Sequence, residues 1–112
     1  MTITEQEVAL MKTLARCKNA RARRRMVEAG GASFQKAMRE VCYNLLRGNM
    51  PLSRPRLNKL RPYRKVIRDL SAKRTSLKRR VRLNLRGGFL AALLPAAIPA
   101  VLSALSALLG RR

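Results

Sequence analysis

Fourteen basic side chains crowd one stretch of this sequence: Arg54, Arg56, Lys59, Arg61, Arg64, Lys65, Arg68, Lys73, Arg74, Lys78, Arg79, Arg80, Arg82 and Arg86. Only one acid, Asp69, stands among them. Ammonium and guanidinium groups at this density do one kind of chemistry well. They neutralise phosphate oxyanions through charge-assisted hydrogen bonds. Catalysis is not expected, because the chain has no histidine and shows no carboxylate pair and no phosphate-cradling glycine loop. No metal or cofactor is expected either. Cys17 and Cys42, 25 positions apart, are too few for a zinc site or a disulfide framework. Cys42 reads as a buried small hydrophobe, and the compartment as a reducing one.

The whole chain has 112 residues, with 26 Lys and Arg against 5 Asp and Glu, net +21. Self-repulsion of this size opposes compaction, so a polyanionic partner is expected to neutralise it. Duplex DNA carries one negative charge per ~1.7 Å of axis, so the excess matches roughly 36 Å, about one helical turn. An anionic membrane surface is the second candidate. The charge is unevenly placed. Residues 1–50 hold 10 basic and 4 acidic side chains, residues 51–88 hold 14 and 1, and residues 89–112 hold only Arg111 and Arg112. Three segments follow: an N-terminal helical hairpin at 1–50, a basic helical region for nucleic acid at 51–88, and an apolar tail at 89–112.

The basic residues mix Lys with Arg and spread over several elements, which suits phosphate contacts that are indifferent to sequence. Base reading by one rigid helix is disfavoured. Stacking on aromatics is disfavoured too, since Tyr63 is the sole aromatic between Tyr43 and Phe89.

Helices must position these groups. Thr4 and Glu7 form a capping-box pattern, and Val8, Met11, Leu14 and Ala15 follow at helical spacing. This first helix is expected to run to about Glu28 and to stop at Gly30-Gly31. Its basic half, "KNARARRR", reads as a solvated or polyanion-bound arm, with nuclear import as a secondary role. A second helix begins at Ser33. Phe34, Ala37, Met38, Val41, Cys42, Leu45 and Leu46 form its apolar stripe, and Gly48 closes it. The stripe serves either core packing or a homodimer interface through Phe34–Leu46. Further on, Leu57 and Leu60 are expected to face inwards from a short helix. A helix from about Arg61 to Ala72 puts Val66, Ile67 and Leu70 on one side and its cations around the other. Thr75 or Ser76 caps a last basic helix with Leu77 and Val81 on one face. No strand is expected, and no secretory leader, because the first 30 residues lack an unbroken apolar core.

The tail from Phe89 to Gly110 holds 22 residues without a charge, enough to cross a bilayer core of ~30 Å as a helix. Pro95 and Pro99 interrupt it, so the helix is expected to kink. Phe89, Leu90, Leu94, Ile98, Val101, Leu102, Leu105, Leu108 and Leu109 make its broad apolar arc. Its general character is similar to that of pore-forming peptides. A membrane-active segment, a stable tail anchor and an element buried in a larger assembly all remain open.

From Cys42 onward the chain resembles a known family. "NLLRGNMPLSRPRLNKLRPYRKVIRDLSAKRTSLKRRVRLNLRGGFL" is similar to the small basic protein of adintoviruses and Polinton-type elements, itself compared with the adenovirus core protein X, the precursor of mu. The most specific parts are "GN-x-PL" at Gly48–Leu52 and "SLK…RGGFL" at Ser76–Leu90. The resemblance implies a virion core protein in the host nucleus that binds and condenses the double-stranded viral genome. It also gives the double glycine a meaning. Adenovirus-type cysteine proteases cut after Gly-Gly when an apolar residue stands four positions before the cut, and Leu85, Gly87, Gly88 and Phe89 fit. A plain helix cap and hinge explains the glycines equally well.

The expected fold is therefore all-α: short amphipathic and basic helices in a loose bundle, then a hydrophobic, kinked C-terminal helix, partly disordered without a polyanion. The expected function is sequence-independent DNA binding and condensation. A membrane-active, lytic capsid protein and a small tail-anchored protein are the alternatives.

Overall fold

A computed structural model describes residues 3–50 and 52–110, with side chains described as far as residue 103. Among the described residues the chain is all-α. Its helices are α1 (Glu5–Arg16), α2 (Ala20–Leu46), α3 (Arg54–Leu60), α4 (Arg64–Ser71), α5 (Leu77–Asn84) and α6 (Phe89–Gly110), with a 3-10 turn at Arg61–Tyr63.

The expected first helix is two. α1 ends at Arg16, and Asn19 caps a new helix by accepting from the Ala22 N–H at 3.1 Å. Arg23 Nη2 donates back to the Cys17 carbonyl at 3.0 Å, which fixes the bend between them. The cap outcompetes helical continuation because asparagine offers the first turn an oxygen that a mid-helix residue cannot. The start of α1 is as expected: the Thr4 N–H donates to Glu7 Oε2 at 3.1 Å. Glu7 Oε1 then accepts from the Ser33 hydroxyl at 2.6 Å, so the capping acid also ties α1 to α2.

Gly30-Gly31 is an elbow, and the helical path resumes beyond it. Gly31 has φ 61° and ψ −156°, a region open essentially to glycine alone. Gly30 lets α1 approach: a Cβ there would lie 2.6 Å from Phe34 Cβ and 2.9 Å from Leu10.

Past the elbow, the stripe of α2 packs on α4 and α5. Phe34, Ala37, Met38, Val41 and Cys42 are buried within the chain, so the surface offered as a homodimer interface is largely taken up by core. Burial pushes the Cys42 thiol up to about 12, which makes it an inert hydrophobe at neutral pH. Val66, Ile67 and Leu70 of α4 complete this side of the core, as their spacing predicts. A polar contact crosses it: Asn84 Nδ2 of α5 donates to Gln35 Oε1 of α2 at 2.6 Å, with both residues buried. Such a buried pair fixes the register of two helices that apolar contacts alone would let slide.

The tail is the largest departure from expectation. α6 does form, but Phe89, Leu90, Leu93, Leu94, Ala96, Ala97 and Val101 are buried in the same core as the other helices. It packs chiefly on α1, whose Val8, Met11 and Leu14 are buried in that core, and also on α3. Among the residues expected to meet lipid, Phe89, Leu90, Leu94 and Val101 are thus buried and Ile98 and Leu102 half-buried, while Leu105, Leu108 and Leu109 lie outside the described side chains. Among the described residues no single helix is long and apolar enough to cross a membrane. α5 and α6 as far as Ser103 meet the requirement only together, across a 94° bend.

Proline in α6 shapes a contact rather than ending the helix. Pro99 has no N–H to give to the Pro95 carbonyl one turn earlier. Arg56 Nη1 of α3 donates to that oxygen instead, at 2.8 Å. The core therefore runs through all three segments that charge separates in the sequence. The Cα radius of gyration is 13.3 Å, against about 13 Å for a compact chain of this length, so the bundle is tighter than the loose one expected.

Candidate nucleic-acid interface

Thirteen of the fourteen basic residues between Arg54 and Arg86 are exposed, and Arg80 is half-buried. Three helices and their connections carry them. α3 presents Arg54, Arg56 and Lys59; the 3-10 turn adds Arg61; α4 carries Arg64, Lys65 and Arg68. Lys73 and Arg74 stand in the connection to α5, which carries Lys78, Arg79, Arg80 and Arg82, with Arg86 in the turn beyond.

The amphipathic logic of α4 is complete. Its apolar side is locked in the core, so its cations are held outwards. Arg61, Arg64, Lys65 and Arg68 recur at three- and four-residue spacing, which places them on one face. With Pro62 and Asp69 they line an open hollow of about 580 Å³. Arg79 and Arg82 of α5, with Arg86 in the turn beyond, repeat the spacing and line a second, smaller hollow of about 250 Å³ with Leu83. The two faces present cations in short rows on rigid elements, as contact with successive phosphates requires.

The one acid of the block does not cancel this. Asp69 accepts from Arg79 Nη2 at 3.2 Å, joining α4 to α5. A partly exposed pair of this kind is worth little in free energy. Its effect is positional, since it holds the two cationic helices side by side. Ser76 caps α5 by accepting from the Arg79 N–H at 3.2 Å, as expected from its position.

Arg39 is a residue that the composition of the basic block could not reveal. It lies on α2, yet its Nε donates to the Ser71 carbonyl at 3.4 Å, while Arg80 Nη2 donates to the neighbouring Ala72 carbonyl at 3.1 Å. The two guanidiniums meet at the end of α4. Burial and the nearby Arg39 charge both lower the affinity of Arg80 for its proton, so two positive charges lie close together at this junction. Only helical spacing along α2, which puts Arg39 beside the apolar stripe, could have hinted at it. The basic start of α2 adds Arg21, Arg24 and Arg25, all exposed, with Arg24 paired to Glu28 at 2.9 Å.

Gly87-Gly88 lies in an exposed turn between α5 and α6. Gly88 has φ +78°, and Tyr63 Oη donates to the Gly87 carbonyl at 3.2 Å. The Tyr63 ring also meets the Phe89 ring, with centroids 5.7 Å apart. This is the geometry of a cap and hinge. For a protease the glycines are open, but Phe89 is fully buried and Leu85 half-buried, so the flanking residues that recognition needs would first have to leave the core.

The hinge makes a test. A Cβ on Gly88 would lie 2.5 Å from Tyr63 Oη, whereas nothing lies within 4 Å of one on Gly87. Gly88→Ala is expected to cost about 1–3 kcal/mol through its backbone angle alone, lowering the melting temperature by roughly 5–15 °C. Gly87→Ala is expected to change it by no more than a few degrees. Equal melting temperatures for the two variants would remove the hinge argument.

Compared with known protein families, with curated proteins and with solved structures, the chain matches none of them.

Proposed function

We propose that this protein binds and condenses double-stranded DNA by neutralising its phosphates, without reading its sequence, as a core protein of a viral particle. One observation carries the DNA reading: nine exposed cations on three short helices and four more in the turns beside them, with Leu60, Val66, Ile67, Leu70 and Leu83 seating those helices in one core. The viral setting rests on the resemblance of residues 44–90 to the adintovirus and adenovirus core proteins. In this reading Arg54–Arg86 contact phosphates, and Arg39 joins them from α2.

The membrane-active and tail-anchored readings are less favoured, because α6 is engaged in the core through Phe89, Leu93 and Leu94. Membrane insertion would first have to remove it. Release of the tail by a Gly-Gly-specific protease meets the same obstacle at Phe89.

The test is a titration of the full chain against duplexes of unrelated sequence while salt is varied. Expected are equal affinities for all duplexes and a steep linear fall of log affinity with log salt, at about −0.9 per phosphate neutralised. Strong preference for one sequence, or affinity that ignores salt, would sink the proposal.

A further inference from the structure

The end of α2 meets α3 and α4 around an open hollow of about 240 Å³. Leu45, Leu46, Leu57, Leu60 and Ile67 line it, and Arg61 and Arg64, both exposed, complete the lining. Leu57, expected to face inwards, is 49 % exposed, and Leu46, the end of the α2 stripe, is 50 % exposed. Tyr43 is exposed one turn before Leu46 on the same side of α2. Large exposed apolar residues scattered singly need no explanation, but here Leu46 and Leu57 line one concave surface together, which is the pattern of an interaction site.

The charge at this hollow decides what fits it. Phosphates suit Arg61 and Arg64 but gain nothing from five aliphatic walls. A second copy of this chain is a poor complement, since it brings net +21 and only five acids. Of those, Glu7 is buried, Glu28 is paired with Arg24, and Asp69 with Arg79. The complement is a surface with leucine-sized side chains for the hollow and carboxylates for the two arginines. An amphipathic helix supplies both, with apolar anchors one turn apart and acids beside them. We propose that this hollow docks an acidic amphipathic helix of a partner protein. The inference stands on the hollow and its two arginines and does not depend on DNA binding.

A fluorescein-labelled helical peptide tests it, with two leucines four residues apart and glutamates on either side. Its control has serine in place of both leucines and the same charge. Each is titrated with the full chain at about 0.15 M ionic strength, where loose charge attraction is damped. The leucine peptide is expected to bind at least about tenfold more tightly than the control, as burial of two leucines implies. Leu46→Gln with Leu57→Gln is expected to erase that difference while leaving the melting temperature and duplex DNA affinity as they were. Arg61→Glu with Arg64→Glu is expected to lose the peptide and to recover a version carrying lysines for glutamates. Equal binding of the two peptides to the unaltered chain would overturn the proposal. So would peptide binding that ignores the Leu46 and Leu57 changes. Binding to anionic vesicles that needs Leu46 and Leu57, with no discrimination between peptides, would reassign the hollow to lipid and overturn it too. In each of these cases the DNA titration stands apart, so failure here is distinguishable from failure of the DNA reading.

Discussion

A chain ending at Gly88 does not unfold cooperatively, because it does not fold. The missing helix supplies Phe89, Leu90, Leu93, Leu94 and Val101 to the core, all of them buried. At roughly 1.5–3 kcal/mol for each such side chain, their loss removes about 10 kcal/mol. A small domain has a net stability of about 5–15 kcal/mol in all, and this one also opposes its own net charge of +21. The apolar side of α1, with Val8, Met11 and Leu14 buried, would lose the helix it packs on most and keep chiefly its contact with α2. Circular dichroism on heating is the measurement. The full chain is expected to show a sigmoidal melt and residues 1–88 a shallow, featureless slope. A cooperative melt of residues 1–88 within a few degrees of the full chain would show that α6 is an appendage after all. The consequence for function is direct. The basic block is charged enough to attract DNA without α6, but its cations would no longer be held in rows.

How much of this could be read from the sequence depends on where the deciding physics lies. α4 was legible because Val66, Ile67 and Leu70 alternate with cations at helical spacing, and both burial and exposure follow from one periodicity. The cap of α5 at Ser76 was legible for a similarly local reason. The break at Asn19 was not. "RCKNARARRR" contains no glycine or proline, and every residue in it tolerates a helix, so only the cap geometry reveals the stop. The tail was legible as a helix and illegible as a location. A segment that is apolar on nearly every side is either lipid-facing or central to a core. The choice depends on whether other helices offer it enough apolar surface, which is a tertiary fact supplied here by α1 and α3. Leu57 failed for a related reason. α3 has seven residues, too few for a periodicity to say which leucine turns inwards. The cations of the site were legible by composition, whereas Arg39 enters it only because α2 passes the end of α4.

Salt is expected to move the two properties of this protein in opposite directions. In the free chain, screening relieves repulsion among 26 basic side chains, so the melting temperature rises with salt. In the complex, each phosphate contact displaces counterions that salt restores. Six to ten contacts cost roughly 10³–10⁵ in affinity between 50 and 200 mM salt. Binding to the folded chain alone stabilises it by about 2.7 kcal/mol at a DNA concentration 100 times the dissociation constant, which is roughly 10–20 °C of melting temperature at this size. At 50 mM salt, then, saturating duplex DNA is expected to raise the melting temperature by at least about 10 °C. At 200 mM salt and the same DNA concentration that increment should vanish, while the free chain melts higher than before. Differential scanning calorimetry with and without DNA at the two salts reads all four values. An increment that survives at 200 mM would mean that apolar or base contacts hold the DNA, and the rows of cations on α4 and α5 would not be the clamp. A free chain that melts lower at high salt would mean that its charges are mutually paired rather than mutually repelling, and the requirement for a polyanion would fall with that result.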